Sequence, residues 1–372
     1  MDKKKWIWQH KDYPNFKYDT SKFIDILLDI KYYQGLLDGI YKTINEDELS
    51  LAKLETLTTE AIDTSAIEGE ILDRNSVRSS ISKKLDIEIN SKDSSTIQSD
   101  GLIDILLDAT INYDKEFTKD RLFGWHNALF PRGYNFITKI NIADYRGTED
   151  MQIVSGCIGK EKVHYVAPPR EILEDEMDKF FRWLNNDDDL SLVKVAIAHL
   201  WFVIIHPMDD GNGRITRAIT DMLLSAEAKQ SYKMYSISQA IKEDKKGYYD
   251  ALEKVTATCS TDITLWIEWF LNTLLKALKN ALANINIVLQ KTIFWDKHKQ
   301  TILNKRQIKV LNKMLDIGTD NFKGGINTRK YASITKVSKP TASIDIKDLV
   351  QKGCLVQIED TKGRNISYEL CT

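Results

Sequence analysis

Cysteine is scarce: the chain has four, Cys157, Cys259, Cys354 and Cys371. No two stand at C-x-x-C spacing, which excludes ribbon-type metal sites and the redox motif of that pattern. The chain is also too long and too Cys-poor to be a disulfide-stapled domain, so free thiols in a reducing compartment are expected. Proline is scarce as well, with six residues, so long helices can run unbroken. Long apolar runs are absent. The longest, residues 200–205, is far too short to cross a membrane. The opening MDKKKWIWQHKDYP is basic but lacks the apolar stretch of a secretion signal. A cytoplasmic protein with no membrane partner is expected. A strong net charge is absent too: the balance is −2, so the whole chain presents no field for nucleic acid.

What is present is length, uneven charge and helical periodicity. A chain of 372 residues exceeds one ordinary core and points to two or three domains. Residues 297–372 hold 15 Lys/Arg against 7 Asp/Glu, whereas the rest holds 37 against 47. A basic end on an acidic body suggests separate units with separate partners. The spacing of apolar residues predicts a mainly α protein. An aromatic-rich start (Trp6, Trp8, Tyr13, Phe16, Tyr18) reads as a seal over a core, followed by a helix through Phe23, Ile26, Leu27 and Ile30. Leu51, Leu54, Leu57, Ala61, Ile62 and Ser65 lie at three-and-four spacing, in a helix expected to end near Glu68 with Gly69 as its stop. Residues 73–100 are polar and read as a surface stretch or short helices, and 101–130 as helical. Residues 151–167 hold two β-rich runs around Gly156 and Gly159, a hairpin. Helices are expected at 170–185, 191–205, 213–229 and 262–290. Residues 300–372 show helical periodicity and then two alternating runs around a Lys-Gly-Arg turn, the pattern of a winged helix-turn-helix.

Residues 206–217, HPMDDGNGRITR, do not look like packing. Pro207 ends the preceding apolar helix near His206. A loop follows, and a new helix starts with Ile215, Ala218, Ile219, Met222 and Leu223 on one face. Its first turn offers unpaired backbone N–H groups at Gly211, Asn212 and Gly213, with the helix dipole behind them, which is an anion site. Glycine lets a phosphate approach the backbone closely. Arg214 and Arg217 stand where the dipole disfavours cations, and a bound polyphosphate would reverse that penalty. Asp209 and Asp210 flank the site, and Asp210 is a hard oxygen ligand suited to Mg²⁺ with substrate phosphates. His206 is a candidate general base.

This stretch resembles the signature of the Fic family, His-Pro-Phe-x-(Asp/Glu)-Gly-Asn-(Gly/Lys)-Arg-x-x-Arg. His206, Pro207, Asp210, Gly211, Asn212, Gly213, Arg214 and Arg217 match it, and Met208 replaces the usual Phe as an apolar filler. The likeness extends over roughly residues 50 to 290. It implies transfer of AMP from ATP to a Ser, Thr or Tyr hydroxyl of a protein, or of the chain itself. His206 would be the base and Asp210 would hold Mg²⁺. The Gly211–Gly213 amides would form the anion hole, with Asn212 orienting the α-phosphate and Arg214 and Arg217 holding the β- and γ-phosphates. Gly213 stands where a phosphate-transferring relative has Lys, which favours nucleotidyl transfer. The hairpin at 151–167 resembles the family's flap, which takes a target segment as an added strand. Tyr248 and Tyr249 resemble its adenine-side residues. Relatives often pair, which leaves a homodimer open.

Residues 64–69, TSAIEG, resemble the family's inhibitory motif through Thr64, Glu68 and Gly69. Glu68 ends one helix and Arg217 begins another, each against its own dipole, and pairing them would repair both. That pair would also occupy the γ-phosphate's partner and make the enzyme autoinhibited. In some relatives the same Glu supports removal of AMP. The expected organisation is an N-terminal helical region at 1–100 carrying an inhibitory helix at about 46–69, a Fic core with a small β-hairpin flap at 101–290, and a winged helix at 297–372. Lys336, Lys339, Lys347, Lys362 and Arg364 would give that last domain a DNA or a protein partner. Two other readings stand beside the transferase. One is a DNA-binding regulator whose Fic-like domain only senses nucleotide. The other is a metal hydrolase using His206, Asp209 and Asp210, which lacks a second histidine at ligand spacing.

Overall fold

The structure is a computed structural model that describes residues 6–87, 93–135, 138–155, 162–186, 191–231, 233–317, 324–359 and 366–371. It divides into two compact units, Met1–Lys279 and Asn280–Thr372. The first holds α1 (Ile24–Tyr41), α2 (Glu46–Ile67), α3 (Arg74–Leu85), α4 (Ile97–Ile111) and α5 (Lys119–Leu129). Two antiparallel hairpins follow, β1 (Tyr134–Asn135) with β2 (Thr138–Lys139), and β3 (Gln152–Ser155) with β4 (Lys162–Val166). Then come α6 (Arg170–Leu184), α7 (Leu192–Ile205), α8 (Asn212–Ala228), α9 (Ile237–Glu243), α10 (Lys245–Thr256) and the start of α11 (Thr264–Lys297). No helix among the described residues is long and apolar enough to cross a membrane.

The centre of the first unit is the α7–α8 pair. Helix α7 is apolar on every side (LVKVAIAHLWFVII) and every one of its residues except Val193 is buried, as expected of a helix surrounded by others. Ser191 caps its start by accepting from the Lys194 N–H at 3.2 Å. Trp266 of α11 donates to the Ala196 carbonyl at 2.7 Å. The aromatic N-terminus seals the core as expected: Phe16 packs on Trp201 and Trp6 on Tyr165, with ring centroids 5.8 and 5.6 Å apart. It also reaches the second hairpin, where Trp8 donates to the Val166 carbonyl at 2.8 Å.

The polar stretch 73–100 forms the short helix α3, as one of the two expectations had it, but its serine face is buried and not a surface. Helix α3 buries Ser76, Ser79, Ser80 and Ser82. Ser76 and Ser80 lie 3.0 and 2.8 Å from the Ser99 hydroxyl on α4, so each hydroxyl that leaves water finds a partner. Helix α2 buries Glu60, which accepts from the Ser236 hydroxyl at 2.6 Å and from the amide that opens α9 at Ser238. Asp63 pairs with Lys242 at 2.6 Å.

The expected hairpin at 151–167 is present as β3 and β4, with a bulge between Ile153 and Val154. Its turn, with Gly156, Cys157 and Gly159, lies outside the described residues. Lys162 and His164 of β4 both meet Glu253 of α10, at 3.0 and 2.7 Å.

The second unit contains the remainder of α11, α12 (Lys305–Ile317), α13 (Thr328–Thr335), α14 (Lys339–Gln351) and an antiparallel pair, β5 (Leu355–Gln357) with β6 (Tyr368–Leu370). Phe294, Leu311, Met314, Tyr331, Leu349 and Leu355 lie in its core. Asp345 of α14 is almost fully buried, and it accepts two bonds from Arg306 at 2.8 and 3.0 Å and one from the Tyr331 hydroxyl at 3.0 Å. Such a satisfied buried carboxylate fixes three helices at one point. Lys336, Lys339 and Lys347 are exposed, whereas Lys362 and Arg364 lie outside the described residues.

Candidate active site

Helix α7 ends at His206, whose φ of 50° is left-handed, a conformation that a non-glycine residue adopts only when its surroundings hold it. The brace is Arg146, buried and absent from the sequence-based site. Its Nε donates to the His206 carbonyl at 2.9 Å, and its own amide donates to the Pro207 carbonyl at 2.9 Å. A further bond runs from Arg146 to the Pro168 carbonyl. Burial depresses the His206 imidazole to about 4, while the carboxylates of Glu68 and Asp210 pull the other way. The ring is therefore neutral near pH 7, the form a base needs.

The loop that follows folds on itself. Asn212 uses both ends of its side-chain amide on the Met208 backbone, accepting at 2.9 Å and donating at 2.8 Å. Its side chain thus closes the loop. Met208 is fully buried, as an apolar filler should be. Gly211 has φ of 83°, and a Cβ there would lie 2.9 Å from the Phe130 ring, so only glycine fits. Its amide donates to the Asp210 carboxylate. The free amides of the first turn therefore begin at Asn212, one residue later than expected, because helix α8 starts there with Gly211 as its cap.

The two aspartates separate. Asp209 accepts from the backbone amides of Asn141 at 2.8 Å and Gly147 at 3.2 Å. It thereby anchors the segment that follows β2. Asp210 keeps a third of its side chain exposed, receives the Asn135 amide, and lies 3.8 Å from Arg214. No cluster of three or more metal-ligating side chains occurs among the described residues. Mg²⁺ needs only one or two carboxylates when phosphates complete its shell, so Asp210 alone fits that donor set.

The arginines meet the segment 64–70. Arg217 is buried to 1% and donates to the Glu68 carboxylate at 2.8 Å, to the Thr64 hydroxyl at 2.6 Å and to the Thr64 carbonyl at 2.9 Å. Burial would raise the Glu68 carboxyl, but the charge and hydrogen bond of Arg217, with the charge of Arg214, hold it below the ordinary carboxylate value. Helix α2 stops one residue before Glu68, and Gly69 turns the chain with φ of 87°. A Cβ on Gly213 would fall 2.0 Å from Glu68 Oε1. The carboxylate thus stands at the helix start, where an anionic ligand would come. Glu70, which sequence reasoning passed over, bonds Arg214 at 2.7 Å, and Arg214 also faces the Phe130 ring at 5.0 Å. Arg214 and Arg217 are therefore both held by acids from one short segment, TSAIEGE. The second acid of that segment, Glu70, was legible only as a charge one residue past the motif.

Tyr248 and Tyr249 of α10 differ from each other. Tyr248 is buried at 3%, and its hydroxyl lies 3.0 Å from His199 Nε2. His199 Nδ1 in turn lies 2.8 Å from the Thr220 hydroxyl, which donates to the Thr216 carbonyl at 2.8 Å. Since the Thr220 proton is committed, His199 donates at Nδ1 and accepts from Tyr248 at Nε2. This leaves the Tyr248 oxygen facing the Arg217 guanidinium. Tyr249 is 40% exposed and is the ring of the two that a base could reach. His199 was missed by sequence reasoning. Its signal was a second histidine two helical turns before His206 on a helix otherwise apolar but for Lys194.

Residues 116–224 match the Fic/DOC family, and residues 6–87 match a domain of unknown function, DUF4172. Over 124 residues the chain is 38% identical to a uridine 5'-monophosphate transferase of Xanthomonas campestris pv. campestris, which covers 29% of this chain and 20% of that protein. Over 51 residues it is 45% identical to the protein adenylyltransferase Fic of Drosophila ananassae, covering 13% of this chain and 10% of that one. The chain thus spans a fifth or less of the length of these curated relatives. Among solved structures, a Fic family protein from Desulfovibrio desulfuricans shares the fold with a TM-score of 0.56 at 17% identity, over 96% of this chain and 98% of that one. The chain carries a Fic/DOC family domain, set in the mainly helical Fic fold.

Proposed function

We propose that this protein transfers a nucleoside monophosphate, AMP from ATP in the first instance, to a hydroxyl group of a protein, and that its resting state is held closed by Glu68 and Glu70. The observation that carries the reading is the convergence at one helix start of a neutral His206, the amides from Asn212 onward, Arg214 and Arg217. A polyphosphate is the ligand that such an array of donors and cations suits.

In the proposed reaction His206 takes the proton of the target hydroxyl. The hydroxyl oxygen bonds to the α-phosphorus, the α–β phosphoanhydride breaks, and pyrophosphate leaves. Amides and arginines stabilise the charge that builds up. Asp210 would hold Mg²⁺, which neutralises phosphate charge when bound. Tyr249 offers a half-exposed ring for the base, and Tyr248 supports Arg217 from behind. The flap strands β3 and β4 would receive the target segment by backbone pairing.

The brake is electrostatic. A triphosphate must displace Glu68 from Arg217 and Glu70 from Arg214 before both arginines can serve it. The same Glu68, beside the anion site, would also support hydrolytic removal of AMP from the target. The Xanthomonas relative is named for uridine 5'-monophosphate, which makes UTP the second donor to test. The sensor reading is disfavoured by the braced, neutral His206, which nucleotide sensing alone does not require. We further infer a winged-helix module at 297–372, whose exposed Lys336, Lys339 and Lys347 would meet DNA phosphates or an acidic protein face. A homodimer and a cytoplasmic site of action are parts of the same proposal. It is tested by incubating the protein with ATP or UTP labelled at the α-phosphate and measuring label on protein. Label that depends on His206 supports the reading, and its absence from wild type and from Glu68→Gly, with lysate as target, would overturn it.

A further inference from the structure

The second unit carries a pair of thiols unrelated to the nucleotide site. Strands β5 and β6 pair antiparallel with Leu355 opposite Leu370, so the register continued by one residue sets Cys354 opposite Cys371. The Cys371 amide donates to the Cys354 carbonyl at 3.1 Å. Directly opposite residues of an antiparallel pair carry their side chains on one face, with Cα atoms about 4.5 to 5.5 Å apart. That is within the span a disulfide bridges, about 4.4 to 6.8 Å.

The same face meets the end of α11 and the residue after it. The Lys297 ammonium donates to the Cys371 carbonyl at 3.4 Å, and His298 Nδ1 lies 3.6 Å from the Cys354 sulfur. His298 is 6% exposed, and its Nε2 has no hydrogen-bond partner among the described residues. Cys354 is fully buried, whereas Cys371 is partly open to solvent. The two thiols are therefore unequal: one can be reached by a small oxidant, and the other is held beside a buried imidazole.

We propose that Cys354 and Cys371 form a reversible cross-strand disulfide, a redox modification site in which Cys371 reacts first and Cys354 resolves it with His298 as proton acceptor. The oxidant is hydrogen peroxide. The Cys371 thiolate attacks the peroxide oxygen, the O–O bond breaks, and Cys371 becomes a sulfenic acid as hydroxide leaves. Cys354 then passes its proton to His298 and attacks the Cys371 sulfur. The S–S bond forms, the S–O bond breaks, and the departing hydroxide takes up the proton as water. Sulfur is oxidised by two electrons in all and peroxide is reduced to water. A dithiol reductant reverses the bond by exchange. Burial pushes the Cys354 thiol up, which suits a resolving thiol and not the first reactant.

The test treats the full chain with hydrogen peroxide, blocks remaining thiols, and maps tryptic peptides without reduction. Residues 353–362 and 365–372 fall on separate peptides. The expected product is the linked pair, about 2 Da lighter than the two reduced peptides together, and lost after dithiothreitol. With Cys354→Ser, dimedone should trap a sulfenic acid at Cys371. With Cys371→Ser, Cys354 should remain a thiol. His298→Asn should slow disulfide closure by about tenfold while leaving the first oxidation at Cys371 unchanged. The wild-type map needs no variant to fold. Irreversible oxidation of Cys371 with Cys354 still a thiol, or links from either residue to Cys157 or Cys259, would overturn the proposal.

Discussion

Replacing Glu68 by Gly should tighten the binding of a triphosphate far more than that of a monophosphate. In the resting site Arg217 is buried, and Glu68, a third exposed, holds it at 2.8 Å. A charge-assisted hydrogen bond contributes roughly 1.5 to 3 kcal/mol. Partial exposure of the carboxylate screens the pair, so the lower part of that range applies, about 1.5 to 2.5 kcal/mol. With about 1.4 kcal/mol for each factor of ten, affinity should improve roughly 10- to 60-fold. Arg217 should not collapse when the acid is removed, because the Thr64 hydroxyl and carbonyl hold it at 2.6 and 2.9 Å. The assay is calorimetric titration with a non-transferable ATP analogue and, separately, AMP, each with Mg²⁺. AMP lacks the phosphates that need Arg217 and should change by less than about threefold. Equal tightening of both ligands would mean that Glu68 acts as a general negative charge. No tightening would remove the brake altogether.

Glu70→Gln should give a smaller gain in triphosphate affinity, about fivefold, because Arg214 keeps Asp210 and the Phe130 ring as partners. The double variant should fall short of additivity, since both acids lie on one short segment; calorimetry reads this directly. His206→Ala should lower transfer by at least about 100-fold while changing triphosphate affinity by less than about twofold, as measured by labelling and by titration. For His199 the sign follows from its depressed value of about 3. Below pH 6.5 the unfolded chain takes up a proton that the folded chain refuses, so stability present above that pH is lost as pH falls. His199→Gln removes this contribution. Its loss of stability between pH 6.5 and 5 should be smaller than that of wild type by about 2 kcal/mol, read from urea unfolding at each pH.

The motif residues were legible because spacing and dipole chemistry act locally. The end of α7 at His206, the glycine turn and the two arginines of α8 follow from that logic, and so does the stop of α2 before Gly69. What was not legible depends on distant partners. Asn212 and Asp209 make hydrogen bonds to Met208, Asn141 and Gly147 that no local pattern announces. Only tertiary geometry could assign them. The serines of α3 read as a wet surface because polarity usually means exposure, and their mutual bonding with α4 reverses that. Arg146 braces His206 from 60 residues away, a relation no local pattern carries. Glu70 became visible as a clamp once Arg214 was found opposite it.

The most direct test of the central claim is transfer of α-phosphate label from ATP to protein by wild type, Glu68→Gly and Glu68→Gly/His206→Ala, side by side, with UTP in a parallel set. The account predicts weak labelling by wild type, a rise of at least about tenfold in the first variant, and none above background in the double variant. Labelling that persists without His206, or that does not rise when Glu68 is removed, would contradict it.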